Sequence, residues 1–251
     1  RFLSNMSHEI RTPLQSIVGY AEQIQKHTRP AASDKQAIHQ SARHLLQIVN
    51  EVLDYSRLVS GRFQLEPRPF SLREVFDEVC AVMQVQAADK GLAFQAEMKK
   101  APDTWLLGDA FRLRQILYNL LGNAIKFTDQ GSVGLLVEAQ RHGNNWQIGL
   151  CVEDTGIGIS EEGLRYIFNQ FEQAPGLDRE RYGGTGLGLS IVKALVELQD
   201  GEIRATSTPG RGSKFVVSLS FPEAAAASAV ADNPQHAPEY TAPHSGAIWL
   251  V

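Results

Sequence analysis

From Leu3 onward, apolar side chains return in steps of three and four: Leu3, Met6, Ile10, Pro13, Ile17, Tyr20 and Ile24, with Leu14 and Ala21 widening the stripe. That spacing predicts a helix over residues 1–27 with a narrow, heptad-like seam suited to a bundle. Residues 27–33, His-Thr-Arg-Pro-Ala-Ala-Ser, break it. A second helix is expected over 34–58, with Ile38, Ala42, Leu45, Val49, Val52 and Ser56 at the same steps. Two such helices bury little alone. Pairing two copies into a four-helix bundle would remedy that, so a homodimer is expected.

A linker over 60–69 is marked by Gly61, Pro67 and Pro69. Beyond it, helical and alternating patterns mix. Helices are expected over 71–88, 111–127, 161–168 and 187–198, and strands over 93–98, 132–138, 146–152, 202–206 and 214–220. Ser71 and Glu74 have the spacing of a capping box. The fold class expected is α+β: a helical hairpin over 1–66, then an α/β sandwich over 67–222. Residues 223–244 turn to Ala, Pro, Asn and Ser, the composition of a flexible linker. The apolar run 245–251 reads as the first buried strand of a further domain. With no initial Met, and an end inside that run, the chain is expected to be a piece of a longer protein.

Composition narrows the class. Of 251 residues, 43% are hydrophobic and 21% charged, which excludes wholesale disorder. No apolar stretch approaches the roughly 18–20 residues of a membrane span. A net charge of −4 makes a nucleic-acid partner a poor expectation. The two cysteines, Cys80 and Cys151, match no metal spacing, and a reducing compartment such as the cytosol is expected.

Chemistry concentrates in four places. His8 lies two residues from both Met6 and Ile10, so on a helix it turns about 200° away from the seam. Glu9 is beside it, Thr12 is one turn on, and Pro13 removes a helical hydrogen bond and is expected to bend the helix there. A solvent-facing imidazole beside a carboxylate suits a nucleophile, although most exposed histidines are simply solvated. The other six, His27, His39, His44, His142, His236 and His244, have no such neighbours and are taken as structural or solvated.

The other three places read together as a nucleotide site. Asn119 and Asn123 are four apart on one helix face, where two amide oxygens suit a hard cation such as Mg²⁺; capping or surface solvation is the competing reading. Lys126 and Phe127 follow on the same helix, and Lys126 can reach phosphates or the nucleotide edge. Glu153-Asp-Thr-Gly-Ile-Gly-Ile159 follows a strand. Asp154 there can accept from an exocyclic amine, while Gly156 and Gly158 let backbone approach a flat ring. Gly183 through Gly188, with Gly184, Thr185, Gly186 and Leu187, opens a helix whose free N–H groups suit an anion. It is neither the dinucleotide fingerprint nor a P-loop. Between them, the polar run 167–181 suits a mobile lid, with Phe168 and Phe171 as anchors and Arg179 or Arg181 in reach of a terminal phosphate.

The run Phe2 to Leu14 (FLSNMSHEIRTPL) closely resembles the H-box of sensor histidine kinases. Asn119–Thr128, Glu153–Ile159, Ile167–Arg181, Tyr182–Ser190 and Thr208–Phe215 resemble the N, G1, F, G2 and last glycine boxes of that family's ATP-binding domain; with the H-box, their order and spacing agree from Phe2 to Phe221. The resemblance implies a Bergerat fold, ATP and Mg²⁺ as ligands, and a hybrid kinase passing its phosphoryl group to a receiver domain. It also implies attachment of the full protein to the inner membrane, with this segment on the cytoplasmic side. By the same resemblance His8 is the phosphoacceptor, Glu9 the acid/base and Thr12 a phosphatase residue. Asn119 and Asn123 would bind Mg²⁺, Asp154 would read adenine, and Lys126 and the glycine loop would hold nucleotide and phosphates. The N-box begins with Asn119, where the gyrase-type ATPases carry a Glu that activates water. That difference argues for transfer to a protein group over simple hydrolysis, and the complete set of boxes argues against a non-catalytic scaffold.

Overall fold

The structure, a computed structural model, describes residues 2–26, 32–60, 63–169 and 186–224. Helices α1 (Phe2–Lys26) and α2 (Ala32–Val59) pack against each other as a hairpin. Pro13 lies inside α1 and is buried. Of the expected seam, Ile10, Ile17, Tyr20, Ala21 and Ile24 are half-buried, but Leu14 is 47% exposed. In α2 the expected seam is only partly used. Ala42, Val49 and Ser56 face solvent, and Ile48 is buried instead, at 1% exposure. The reason is tertiary: Ile48 joins the core of the following α/β region, with Ile10 and Val52 packed at its margin. Leu46, Val49 and Leu53, at i, i+3 and i+7, together with Leu14 and Val18, leave an apolar stripe in water.

The α/β region opens with β1 (Arg68–Phe70), which pairs antiparallel with β3 (Leu106–Gly108). The sequence pattern misses both strands, since three residues carry too little periodicity. In α3 (Leu72–Asp89) the Ser71 hydroxyl accepts from the Glu74 N–H at 3.3 Å, the forward half of the capping box. Ser71→Ala is expected to lower the unfolding free energy by about 1 kcal/mol. Urea titration would read this as a lower midpoint at unchanged slope, and an unmoved midpoint would refute it.

The chain then forms β2 (Ala93–Lys99), α4 (Ala110–Phe127), β4 (Ser132–His142), β5 (Asn145–Asp154), α5 (Glu161–Leu164), α6 (Gly188–Glu197), β6 (Glu202–Thr208) and β7 (Gly212–Pro222). The larger sheet has the order β2-β4-β5-β7-β6; β2 and β4 are parallel and the other pairs antiparallel. One sheet face is buried through Val133, Leu135, Val137, Ile148, Leu150, Val152, Val217 and Leu219. Helices α3, α4 and α6 cover it with Val79, Ile116, Leu120, Ile191 and Leu195. The other face carries exposed Glu97, Glu138, Glu153 and Lys214. This is the expected two-layer sandwich.

One expected helix is shorter than its pattern. After α5 the chain continues to Asn169 in turns, with Arg165 N–H on the Glu162 carbonyl and Tyr166 N–H on the Gly163 carbonyl. These are the tighter three-residue bonds, and Gly163 lowers the helix propensity of so short a segment. Cys80 and Cys151 are free and half-buried. Burial and Asp77 push the Cys80 thiol up to about 11, far from a reactive thiolate. Among the described residues no helix is long and apolar enough to cross a membrane.

Candidate functional site

Helix α4 is the spine of the site. Leu113, Ile116, Leu117, Leu120, Leu121 and Ala124 face the core, so the steps Arg112, Gln115, Asn119, Asn123 and Lys126 line the opposite side. Asn119 donates its Nδ2 to the Gln115 carbonyl at 3.0 Å. That fixes the amide and leaves Oδ1 facing the start of α6. A Cβ on Gly188 would come 3.0 Å from this oxygen, a tight contact, so glycine here lets the start of α6 approach the Asn119 amide closely. Asn123 is half-buried one turn further on, and the Lys126 ammonium lies 5.1 Å from the centre of the Phe127 ring.

Asp154 ends β5 and is only 6% exposed. Its Oδ1 accepts the Gly156 N–H at 2.8 Å and the Ser213 N–H at 3.3 Å. Both bonds fall on the same oxygen, so Oδ2 is the atom presented to an outside donor. Burial pushes this carboxyl above its ordinary range, the two N–H groups pull it back, and Glu153 adds a smaller upward push.

The loop beyond Asp154 is clamped from two sides. Ile157 donates its N–H to the Phe127 carbonyl at 3.1 Å and accepts from Gly210 N–H at 2.7 Å. Ile159 N–H reaches Ser207 Oγ at 2.7 Å. A side chain on Gly156 would overlap the Phe127 carbonyl. Gly158, at φ +67°, has the left-handed backbone and would meet the Thr208 carbonyl. These glycines therefore serve close backbone packing between the Asp154 loop, the end of α4 and the turn between β6 and β7.

The glycine-rich stretch is described from Gly186, which has φ +69°. Leu187 is fully buried, and α6 starts at Gly188. Gly184, Thr185, Arg179 and Arg181 lie outside the described residues, as does most of the expected lid. His8 and Glu9 sit on α1, but their side chains also lie outside the described set; Thr12 is exposed. Asn119 thus lies against the start of α6 at Gly188, and the loop of Asp154 and Gly156 lies against the end of α4 at Phe127.

Other contacts were not legible in the sequence. Ser207 and Ser213 brace the Asp154 loop, and the buried Thr128 hydroxyl donates to the Ala124 carbonyl at 2.7 Å. At the junction with the hairpin, Asp54 Oδ2 accepts from Gln115 Nε2 at 2.7 Å and from Arg112 at 3.4 Å. The Arg112 guanidinium lies 4.4 Å from the Phe63 ring centre. Helix α2 is therefore fastened one turn before Asn119, on the face of α4 that carries it. Nothing in the local pattern around Asp54 signals this. Among the described residues no group of three or more His, Cys, Asp or Glu could hold a metal. The amide oxygens of α4 are hard donors of the kind Mg²⁺ takes beside water and phosphate oxygens.

Residues 1–61 match the His Kinase A (phospho-acceptor) domain, and residues 108–223 match the histidine kinase-, DNA gyrase B- and HSP90-like ATPase domain. The chain belongs to the sensor histidine kinases, as their transmitter core. It is 43% identical over 217 residues to the signal transduction histidine-protein kinase BarA of Escherichia coli, covering 85% of this chain and 24% of that protein. To the sensor histidine kinase GacS of Pseudomonas protegens it is 41% identical over 225 residues, covering 88% and 24%. The autoinducer 2 sensor kinase/phosphatase LuxQ of Vibrio cholerae is 37% identical over 223 residues, covering 87% and 26%. The chain thus spans about a quarter of the length of these relatives. Among solved structures, full-length ShkA in complex with AMPPNP is 31% identical with a TM-score of 0.63, covering 89% of this chain and 46% of that one. The Acinetobacter baumannii histidine kinase AdeS shares the fold, with a TM-score of 0.63 at 23% identity over 85% of this chain and 97% of that one. The α+β fold class, with its Bergerat-type ATP-binding domain, is the one expected from the sequence.

Proposed function

We propose that this chain transfers the γ-phosphoryl group of ATP to His8 and that the full protein passes it to an aspartate of a receiver domain, in the same chain or a separate one. The observation that carries the nucleotide half is Asp154: a buried carboxylate with one oxygen committed to backbone N–H groups and the other offered outward. An adenine amine is a donor of the matching kind. Binding of AMPPNP by the similar ShkA supports ATP as the ligand.

In this reading residues 1–66 form the dimerisation and phosphoacceptor hairpin and 67–222 the catalytic domain. Residues 223–244 are the linker and 245–251 open the receiver. The stripe of Leu14, Val18, Leu46, Val49 and Leu53 supports a homodimer, because a second hairpin would remove it from water. A ring nitrogen of His8 attacks the γ-phosphorus in line, its lone pair forming the N–P bond as the bond to the bridging oxygen breaks. ADP leaves with that electron pair, and Glu9 takes the imidazole proton. Asn119 and Asn123 would hold Mg²⁺, which supplies positive charge to the phosphate oxygens. Lys126, Arg179, Arg181 and the N–H groups of Gly184–Gly188 bind phosphates, while Phe127, Gly156 and Gly158 shape the adenine side. Thr12 serves a reverse phosphatase reaction, a reading supported by the similar autoinducer 2 sensor kinase/phosphatase LuxQ. The full protein is attached to the inner membrane, with this segment in the cytoplasm.

The test is Asn123→Ala. Calorimetry is expected to give at least about ten-fold weaker ATP binding in magnesium and a much smaller difference in chelator, since a lost metal ligand acts only through the metal. Equal binding of parent and variant in magnesium would refute the metal assignment.

A further inference from the structure

Lys90 belongs to none of the boxes. It caps the C-terminus of α3, and its ammonium donates to two backbone carbonyls across the domain, Ile125 and Lys126, each at 2.7 Å. Asp129 approaches it at 4.0 Å. The last four carbonyls of a helix have no partner within it. In α4 all four are taken. Ala124 accepts from the Thr128 hydroxyl, Ile125 and Lys126 from Lys90, and Phe127 from the Ile157 N–H. The end of α4 is therefore held by its own cap residue and by two other segments, the end of α3 and the loop that follows Asp154. A cation at this end also offsets the negative pole of the helix.

We propose that Lys90 is a positioning residue for the nucleotide: by gripping the C-terminal turn of α4 from α3, it sets Asn123 and Lys126 against the Asp154 loop. The proposal rests on the assignment of Asn123 and Lys126 to the nucleotide. Its physical basis is leverage. Without the ammonium two carbonyls lose their donor, and the last turn frays or shifts. Lys126 lies on that turn, Asn123 immediately precedes it, and Phe127 is bonded to Ile157 of the loop after Asp154. An arginine can reach the same carbonyls with a charge of the same sign; a methionine has similar length and no donor.

The experiment uses the whole 251-residue chain as Lys90→Met, Lys90→Arg, Asn123→Ala and Ser71→Ala. Affinity for ATP in magnesium, labelling rate at saturating ATP and urea midpoint are measured on each. Ser71→Ala is the control for general loosening, because it removes a cap at the opposite end of the same α3. Lys90→Met is expected to weaken ATP binding by about ten-fold and to slow labelling at saturation, with Lys90→Arg recovering most of both. Ser71→Ala is expected to lower the urea midpoint with ATP affinity unchanged. The proposal is overturned if Lys90→Met binds ATP like the parent while Asn123→Ala does not. It is equally overturned if Ser71→Ala weakens binding as much as Lys90→Met. Unchanged binding in Asn123→Ala would overturn the site assignment, and this proposal with it.

Discussion

Asp154→Asn is expected to bind ATP at least about 100-fold more weakly than the parent, a loss of roughly 2.7 kcal/mol. The direction follows from which oxygen is committed. Oδ1 accepts both the Gly156 and Ser213 N–H groups, and an asparagine oxygen would keep that position. The variant's NH₂ would then replace Oδ2 and turn a donor toward the adenine amine. The same substitution is expected to spare stability. The folded carboxyl titrates above its unfolded value because burial outweighs its two backbone bonds. A group of this kind favours folding below the ordinary carboxylate range, and the contribution is lost as pH rises through the folded value. Above the folded value the empty parent thus carries a buried charge that the variant lacks. Urea unfolding across pH 4 to 8 should give a variant at least as stable as the parent at neutral pH, without the parent's loss on raising the pH. A variant that binds ATP normally, or one that simply unfolds, would contradict this account of Asp154.

His8→Gln is expected to abolish labelling from γ-labelled ATP while leaving ATP affinity within about two-fold, since the acceptor and the nucleotide site sit on different elements. Glutamine keeps polarity and approximate size but has no ring nitrogen to attack phosphorus. The separation is diagnostic. Loss of binding together with loss of labelling would mean that α1 takes part in the nucleotide site. Residual labelling would move the acceptor elsewhere. Calorimetry beside a labelling time course reads both.

Much of this was legible in the sequence, for reasons that differ from element to element. Long periodic segments such as α4 and the alternating β4, β5 and β7 show their buried face directly, because core packing enforces the spacing. Asn119 and Asn123 stand out because asparagine is a poor helix former, so two of them four apart in mid-helix need a reason. Asp154, Gly156 and Gly158 were legible because a carboxylate and two glycines follow an apolar strand. The braces were not. Lys90, Ser207 and Ser213 act through backbone carbonyls and N–H groups from distant segments, and a lysine in an α3 to β2 turn looks like any solvated lysine. Ile48 was missed for a similar reason: the seam at steps of three and four describes how α1 and α2 meet, whereas Ile48 answers to the α/β core. Leu14 and Val49 fit the helical period yet face water, which periodicity alone cannot distinguish from burial. The junction of Asp54 with Arg112 and Gln115 joins residues about 60 positions apart across the contact of the hairpin with the α/β region, and no local pattern encodes that.

The most direct measurement of the central claim is the chemical nature of the label. The chain is incubated with magnesium and γ-labelled ATP, and the labelled protein is treated with acid and with alkali, beside His8→Gln and Asp154→Asn. A phosphorus–nitrogen bond to imidazole gives label that acid removes and alkali leaves, present in the parent and absent from both variants. Label that resists acid, or released phosphate with no labelled protein, would contradict it; the second result would make the chain an ATPase of the same fold.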